Sequence, residues 1–229
     1  MTKRSIIIGA TGGIGSAFAS ALSAQHGFES VIGLSRGFGD IDLTNEASIV
    51  AAASRCAQGP PPDIVIVATG MLHSAAGGPE KTLRELDAVR LADAFAINVI
   101  GPALVAKHFL PLFARDKRCV FAALSARVGS ISDNRIGGWY GYRAAKAALN
   151  MTIRNLAIEL ARTHKQAICV GLHPGTVDTA LSKPFQKNVA AERLFTPDYA
   201  VTRMLSVLDH LSPADSGKCF AWDGAEIQP

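Results

Sequence analysis

The chain has 229 residues, of which 48% are hydrophobic and 18% charged, with a formal net charge of +4. That balance suits one α/β domain with a sizeable core and excludes a disordered chain. The basic residues are scattered, which argues against nucleic acid; a phosphorylated ligand is a more economical use of spare positive charge. Cys56, Cys119, Cys169 and Cys219 form no C-x-x-C pair and fit no zinc spacing, so reduced structural thiols and no metal are expected. Lys3 and Arg4 precede Ile6–Ile8, but Gly9 ends that apolar run too early for a signal peptide. No apolar stretch is read as approaching the ~20 residues that span a bilayer. A soluble cytoplasmic protein follows as the expectation.

Apolar runs alternate with helical patterns along the chain. Ser5–Gly9 reads as a buried strand, Gly13–His26 as a helix and Ser30–Leu34 as a second strand. Thr44–Ala57 is helical, with Thr44 and Glu46 as starting signals. Pro60-Pro61-Pro62 breaks the chain before the strand Asp63–Ala68. Leu83 to Ala114 is a long helical region in two pieces that meet near Asn98 to Pro102. Arg118–Leu124 is a strand, Gly141–Thr163 a long helix and Gln166–Leu172 a strand. Pro197–Leu211 is a helix and Lys218–Trp222 a last short strand. Continuous apolar strands separated by helices mean a parallel sheet covered on both faces. Gly37–Asp40, Gly77–Pro79 and Thr179–Phe195 are irregular. The last is longest and follows a strand's carboxyl end, where open α/β sheets bind ligands, so it is the lid candidate.

Gly9-Ala10-Thr11-Gly12-Gly13-Ile14-Gly15 follows a strand and opens a helix. Glycines permit a tight turn and close approach of a pyrophosphate, and the helix N-terminus offers free N–H groups. The spacing is G-x-x-x-G-x-G rather than G-x-G-x-x-G. The second strand ends Gly33-Leu34-Ser35-Arg36, without the carboxylate that would bind a ribose 2′-hydroxyl. Arg36 can instead meet a 2′-phosphate with a charge-assisted fork, so NADP(H) is preferred over NAD(H). Asp42 either accepts from an adenine amino group or caps the helix starting near Thr44.

Tyr142 and Lys146 stand four apart on the long helix, hence on one face. An ammonium there favours the phenolate and is expected to bring the phenol toward the working range. His73 is left out of the catalytic set. Trp139 and Tyr140 are read mainly as packing residues, with an aromatic substrate wall as the alternative.

These residues resemble the short-chain dehydrogenase/reductase family. The glycine loop is similar to its T-G-x-x-x-G-x-G motif, with Ile8 in place of the threonine. Tyr142 and Lys146 match its Y-x-x-x-K, and Asn98 resembles its helix asparagine. Pro174-Gly175-Thr176-Val177-Asp178-Thr179 is similar to its P-G-x-V-x-T segment beside the nicotinamide. Gly129–Asn134 and Ala221–Gly224 resemble a C-factor-like, carbonyl-reductase-type subgroup. The fold implied for residues 1–229 is a single-domain Rossmann fold. Its sheet is doubly wound, mostly parallel and seven-stranded, with helices on both faces and a substrate lid at about 179–195.

The implied cofactor-binding set is Gly9, Thr11, Gly12, Gly13, Ile14, Gly15, Arg36, Asp42, Leu43, Ala68, Thr69, Gly70, Asn98, Tyr142, Lys146, Pro174, Gly175, Val177 and Thr179. The implied reaction is hydride transfer between nicotinamide and a carbonyl or alcohol. Tyr142 is the proton donor, Lys146 the ribose ligand and Asn98 the anchor of a water that feeds protons to Lys146. Two departures stand out. The family's N-N-A-G appears as Val67-Ala68-Thr69-Gly70, and Ala126 occupies the usual place of the catalytic serine. Ser125 is the nearest hydroxyl and completes the catalytic set, although adjacent strand residues point to opposite faces; Ser130 is a further candidate. The Ala126 departure keeps open a non-catalytic nucleotide-binding signalling or redox-sensor protein. The resemblance also implies a homodimer or homotetramer built through about Gly101–Ala114 and Tyr142–Thr163.

Overall fold

Six apolar runs of the sequence become one parallel sheet. The computed structural model describes residues 3–24, 28–73 and 77–229, apart from the Asn188 side chain. In chain order the strands are β1 (Lys3–Ile8), β2 (Phe28–Leu34), β3 (Ile64–Val67), β4 (Cys119–Leu124) and β5 (Ala167–His173). Then come β6 (Thr176–Val177), β7 (Leu194–Phe195) and β8 (Cys219–Ala221). The main sheet runs β2-β1-β3-β4-β5-β8, all parallel, while β6 and β7 pair apart from it. The helices are α1 (Gly13–Ala24), α2 (Glu46–Cys56), α3 (Ala88–Phe95), α4 (Gly101–Phe109), α5 (Tyr140–Leu160) and α6 (Pro197–His210).

Period-two alternation sorts each strand onto two cores. Ile6, Ile8, Val65, Phe121 and Cys169 face Ile49 of α2, Val105 and Phe109 of α4, and Leu149 and Ile153 of α5. Ile7, Ile66, Val120, Ile168 and Val170 face Phe18 and Leu22 of α1 and Val201 and Met204 of α6. Each such side chain contributes about 1.5–3 kcal/mol on burial, and covering both faces is why the strands read as unbroken apolar runs. The chain steps from β1 outward to β2 and then back across to β3. That reversal opens a crevice at the carboxyl ends of β1 and β3.

Three sequence expectations are corrected, and a fourth falls outside the described residues. The seventh strand is absent among the described residues: after the one-turn helix Arg36–Phe38 the chain reaches α2 in too few residues to lay an edge strand. Ile41 and Leu43 are buried instead without ladder pairing. Helix α2 starts at Glu46 because Asn45, not Thr44 or Asp42, caps it, its side chain accepting from Ala47 and Ser48. The expected end of the first helix at His26 lies outside the described residues. Finally, Ala88–Leu112 is one helical run of 25 residues with a window of mean hydropathy 1.5, long and apolar enough by length and composition to cross a membrane. Arg90, Asp93 and Lys107 interrupt it in the sequence; in the fold Val105, Ala106 and Phe109 bury into the core.

The two-piece reading of that run is resolved as a single π turn over Ala96–Ile100 between α3 and α4. Gly101 N–H reaches Ala96 O, five residues back, and Pro102 follows without an N–H of its own. The wider turn carries Asn98, fully buried, toward the carboxyl end of β3.

Candidate active site

The glycine loop is fitted to its neighbours with little tolerance. A Cβ at Gly15 would lie 2.1 Å from Gly9 O. Gly9 has φ +91°, and a Cβ there would lie 2.9 Å from Thr69 Cγ2 and 3.1 Å from the Ala68 backbone. A Cβ at Gly13 would lie 2.8 Å from Thr179 Cγ2. The loop therefore packs against the end of β3 and the start of the 179–195 segment. Gly12 N–H donates to Gly9 O, and α1 then begins at Gly13 with its first N–H groups unpaired inside the helix. Thr11 lies beside Gly37, and Ile14 packs half-buried on the core.

Arg36 projects from the one-turn helix that Ser35 caps; among the described residues it has no carboxylate within 4 Å. Asp42 does not cap α2. Its Oδ1 accepts from Thr44 N–H at 2.9 Å and Thr44 Oγ1 at 2.7 Å. Those bonds, with a smaller share from Arg36, hold its carboxyl below the usual range. Leu43 lies buried under Gly101, where an added Cβ would approach it to 2.8 Å.

Lys146 is 2% exposed, and its Nζ donates to Leu124 O at 2.8 Å. Nζ also lies 5.6 Å from the centre of the Tyr142 ring. Asn98 holds the loop beyond β3 with both ends of its amide: Oδ1 accepts from Met71 N–H at 3.1 Å and Nδ2 donates to Met71 O at 2.8 Å. Nδ2 also donates to Ala94 O. Gly70 lies between these groups, since a Cβ there would sit 3.5 Å from Asn98 Oδ1 and 3.8 Å from Lys146 Nζ. Tyr142, Lys146, Asn98 and Gly70 thus converge at one sheet edge. Nearby, Gly175 turns at φ +78° beneath Phe195 and Trp222, and Val177 is buried.

The electrostatic expectation for the pair reverses. Burial of the hydroxyl end pushes the Tyr142 phenol up to about 12, and burial lowers Lys146 to about 8. Desolvation of the phenol outweighs the expected help of the ammonium. Ser125 has a partner within the fold. Its Oγ donates to Asn150 Oδ1 at 2.6 Å, on the rung of α5 below Lys146. Alternation along β4 puts Ser125 on the α5-packed face. Ser130 is also engaged: its hydroxyl accepts from Asp133 N–H at 3.1 Å and meets Ser132 Oγ at 3.3 Å.

Buried polar atoms without a hydrogen-bond partner gather at this edge. Among the described residues they are Ser5 Oγ, Thr69 Oγ1, His73 Nε2 and His173 Nδ1; the last three belong to the ends of β3 and β5 or the loop between β3 and α3. An orphaned hydroxyl at Thr69, beside a glycine cradle that any Cβ would fill, fits a bound dinucleotide. His173 is held down at about 4, mainly by burial and further by Arg127, so its imidazole is neutral at pH 7.

Glu80 carried no expected site role; Phe185 was expected only as an apolar residue of the 179–195 lid, and Trp139 mainly as packing. Glu80 is 4% exposed, and its Oε2 accepts from Gly141 N–H at 3.1 Å, placing a carboxylate at the positive end of α5. Gly137, Gly138 and Trp139 are all left-handed, the last at φ 52°, and Trp139 N–H donates to Glu80 O. This turn sets the Trp139 ring 6.3 Å from Tyr142 and 5.2 Å from Phe185. Tyr140 is exposed instead. The glycine pair before Trp139 was the one signal of that turn in the sequence.

A family model described as enoyl-(acyl carrier protein) reductase matches residues 29–209. The chain belongs to the short-chain dehydrogenase/reductase family. Its oxidoreductase class follows from that membership. The C-signal protein of Myxococcus xanthus is 36% identical over 145 residues, 63% of this chain and 82% of that protein. The 1-hydroxy-2-glutathionyl-2-methyl-3-butene dehydrogenase of Rhodococcus sp. (strain AD45) is 30% identical over 189 residues, 82% of this chain and 78% of that protein. The fold is also that of an NADPH-bound carbonyl reductase from chicken fatty liver, at TM-score 0.85 and 24% identity, covering 100% of this chain and 99% of that one.

Proposed function

We propose that this oxidoreductase is an NADPH-preferring carbonyl reductase. The observation that carries the reading is the convergence of Tyr142, Lys146 and Asn98 beside the glycine cradle. Bound NADPH supplies the hydride. The α1 N-terminus and the Gly9–Gly15 backbone take the pyrophosphate. Arg36, free of carboxylate partners among the described residues, takes the 2′-phosphate. Tyr142, kept protonated at neutral pH by its burial, gives its proton to the substrate oxygen. Lys146 holds the nicotinamide ribose, and Asn98 fixes the Met71 backbone and the water path toward Lys146. The aromatic rings of Trp139 and Phe185 favour apolar carbonyl compounds. Pairing through α4 and α5, the latter exposing Met151 and Ile158, and a cytoplasmic setting belong to the same reading.

A second reading, a nucleotide-binding signalling protein without turnover, draws on the engagement of Ser125 with Asn150 and on the name of the C-signal relative. NADPH oxidation against aldehydes, ketones and quinones separates the two. Turnover that Tyr142→Phe lowers by ~10²–10⁴ is expected for the reductase. Tight NADPH binding with no turnover on any carbonyl would favour the signalling protein.

A further inference from the structure

We propose that His73 supplies the second hydrogen bond to the substrate oxygen, standing in for the hydroxyl that Ala126 lacks. This rests on the reductase reading above. Ala126 carries no donor, Ser125 Oγ already donates to Asn150 Oδ1, and Ser130 Oγ has Ser132 Oγ and Asp133 N–H as its partners. His73 Nε2 is buried with no partner among the described residues. Leaving a buried nitrogen unbonded is costly, so such an atom is retained where a ligand completes it.

The placement is specific. His73 and Tyr142 line one small cavity with Met71, Glu80 and Arg90. His73 also lines the adjoining hollow under Pro184 and Phe185. The imidazole therefore connects the proton donor to the underside of the 179–195 segment. Its ring lies 6.2 Å from Phe185, which in turn meets Trp139, which meets Tyr142. Apolar rings around the site exclude water, so a hydrogen bond made there counts for more than one made in solvent. The approach is also fixed, because Asn98 clamps Met71 by its N–H and its carbonyl two residues before His73.

In the reduction, the carbonyl carbon receives the hydride while the C=O π pair moves onto oxygen. The Tyr142 O–H proton then transfers to that oxygen. His73, in the tautomer with the proton on Nε2, donates a hydrogen bond to the same oxygen throughout and keeps its proton. The hydride comes from bound NADPH, which leaves as NADP⁺, and Tyr142 regains its proton from solvent.

The test uses the full chain and five proteins: the unaltered enzyme, His73→Phe, His73→Gln, Ala126→Ser and the double variant His73→Phe/Ala126→Ser. A ring of similar size without a donor should lower kcat by ~10²–10³. The dissociation constant for NADPH, followed by nucleotide fluorescence, and the thermal midpoint should stay unchanged. His73→Gln keeps an N–H donor and should retain more activity than His73→Phe. Restoring a serine at position 126 should recover at least ~tenfold of kcat in the His73→Phe background and change the unaltered enzyme little. Turnover by His73→Phe within about twofold of the unaltered enzyme, with Tyr142→Phe inactive, would overturn the His73 role while leaving the reductase standing. A rise in KM alone, or equal loss in His73→Phe and the double variant, would also overturn it. Tight NADPH binding without turnover in the unaltered enzyme would overturn the reductase reading itself, and this proposal with it.

Discussion

The two halves of the candidate site are built in opposite ways. On the nucleotide side, around Gly9–Gly15, the backbone makes the site and side chains are excluded: added Cβ atoms would meet main-chain or threonine atoms at 2.1–2.9 Å at Gly15, Gly13 and Gly9. On the substrate side, side chains from three separate segments make it: His73, the Trp139–Tyr142 turn and Phe185. A backbone-built site tolerates almost no substitution but gives the same pocket in any chain with that loop. A side-chain-built site tolerates change and sets what is bound.

The largest expected effect tests the first half. Gly15→Ala drives a methyl into Gly9 O and should abolish NADPH binding, measured by fluorescence titration; a variant that binds within threefold of the unaltered chain would break the contrast. Next comes His173, at the edge of the substrate side. Its folded form binds fewer protons than the unfolded chain between about pH 4 and pH 6.5. Its share of stability is therefore full above pH 6.5 and lost on acidification toward pH 4. Urea unfolding of the unaltered chain should lose up to about 3 kcal/mol more over that fall than His173→Leu does. Parallel pH curves for the two would remove the burial argument.

Arg36→Ala should weaken NADPH by ~10–100-fold and leave NADH nearly unaffected, in a paired titration. Equal or tighter NADH binding by the unaltered chain would remove the 2′-phosphate reading. The smallest effect is Ser125→Ala. It should cost about 1–2 kcal/mol of stability, since Asn150 Oδ1 loses its donor, with turnover within threefold. A hundredfold loss of kcat at unchanged stability would make Ser125 a catalytic residue.

Legibility followed the same division. The strands, the two-sided burial and the glycine loop were readable because each depends on a local period or a local φ. Tyr142 and Lys146 were readable as a spacing, but their electrostatics were not. Whether an ammonium lowers a phenol or burial raises it depends on how deeply neighbouring elements cover both groups. The surroundings of Ser125 were not legible for a related reason: the sequence shows a hydroxyl next to Ala126, while the face it points to is set by the register of β4 against β5 and by Asn150 on α5. The seventh strand failed because the resemblance supplied it, whereas the residues after Arg36 are too few to add an edge.

By itself the sequence determined the doubly covered parallel sheet, the phosphate-binding turn and the chain-order positions of Asn98, Tyr142 and Lys146. All rest on interactions within a few residues or on alternation along one strand. Only the tertiary structure decided which polar atoms are left unpaired at the sheet edge. It also decided that His73, Trp139 and Phe185 gather around Tyr142. Those residues lie far apart in the chain, and the left-handed turn at Gly137–Trp139, the Asn98 clamp on Met71 and the packing of the 179–195 segment bring them together.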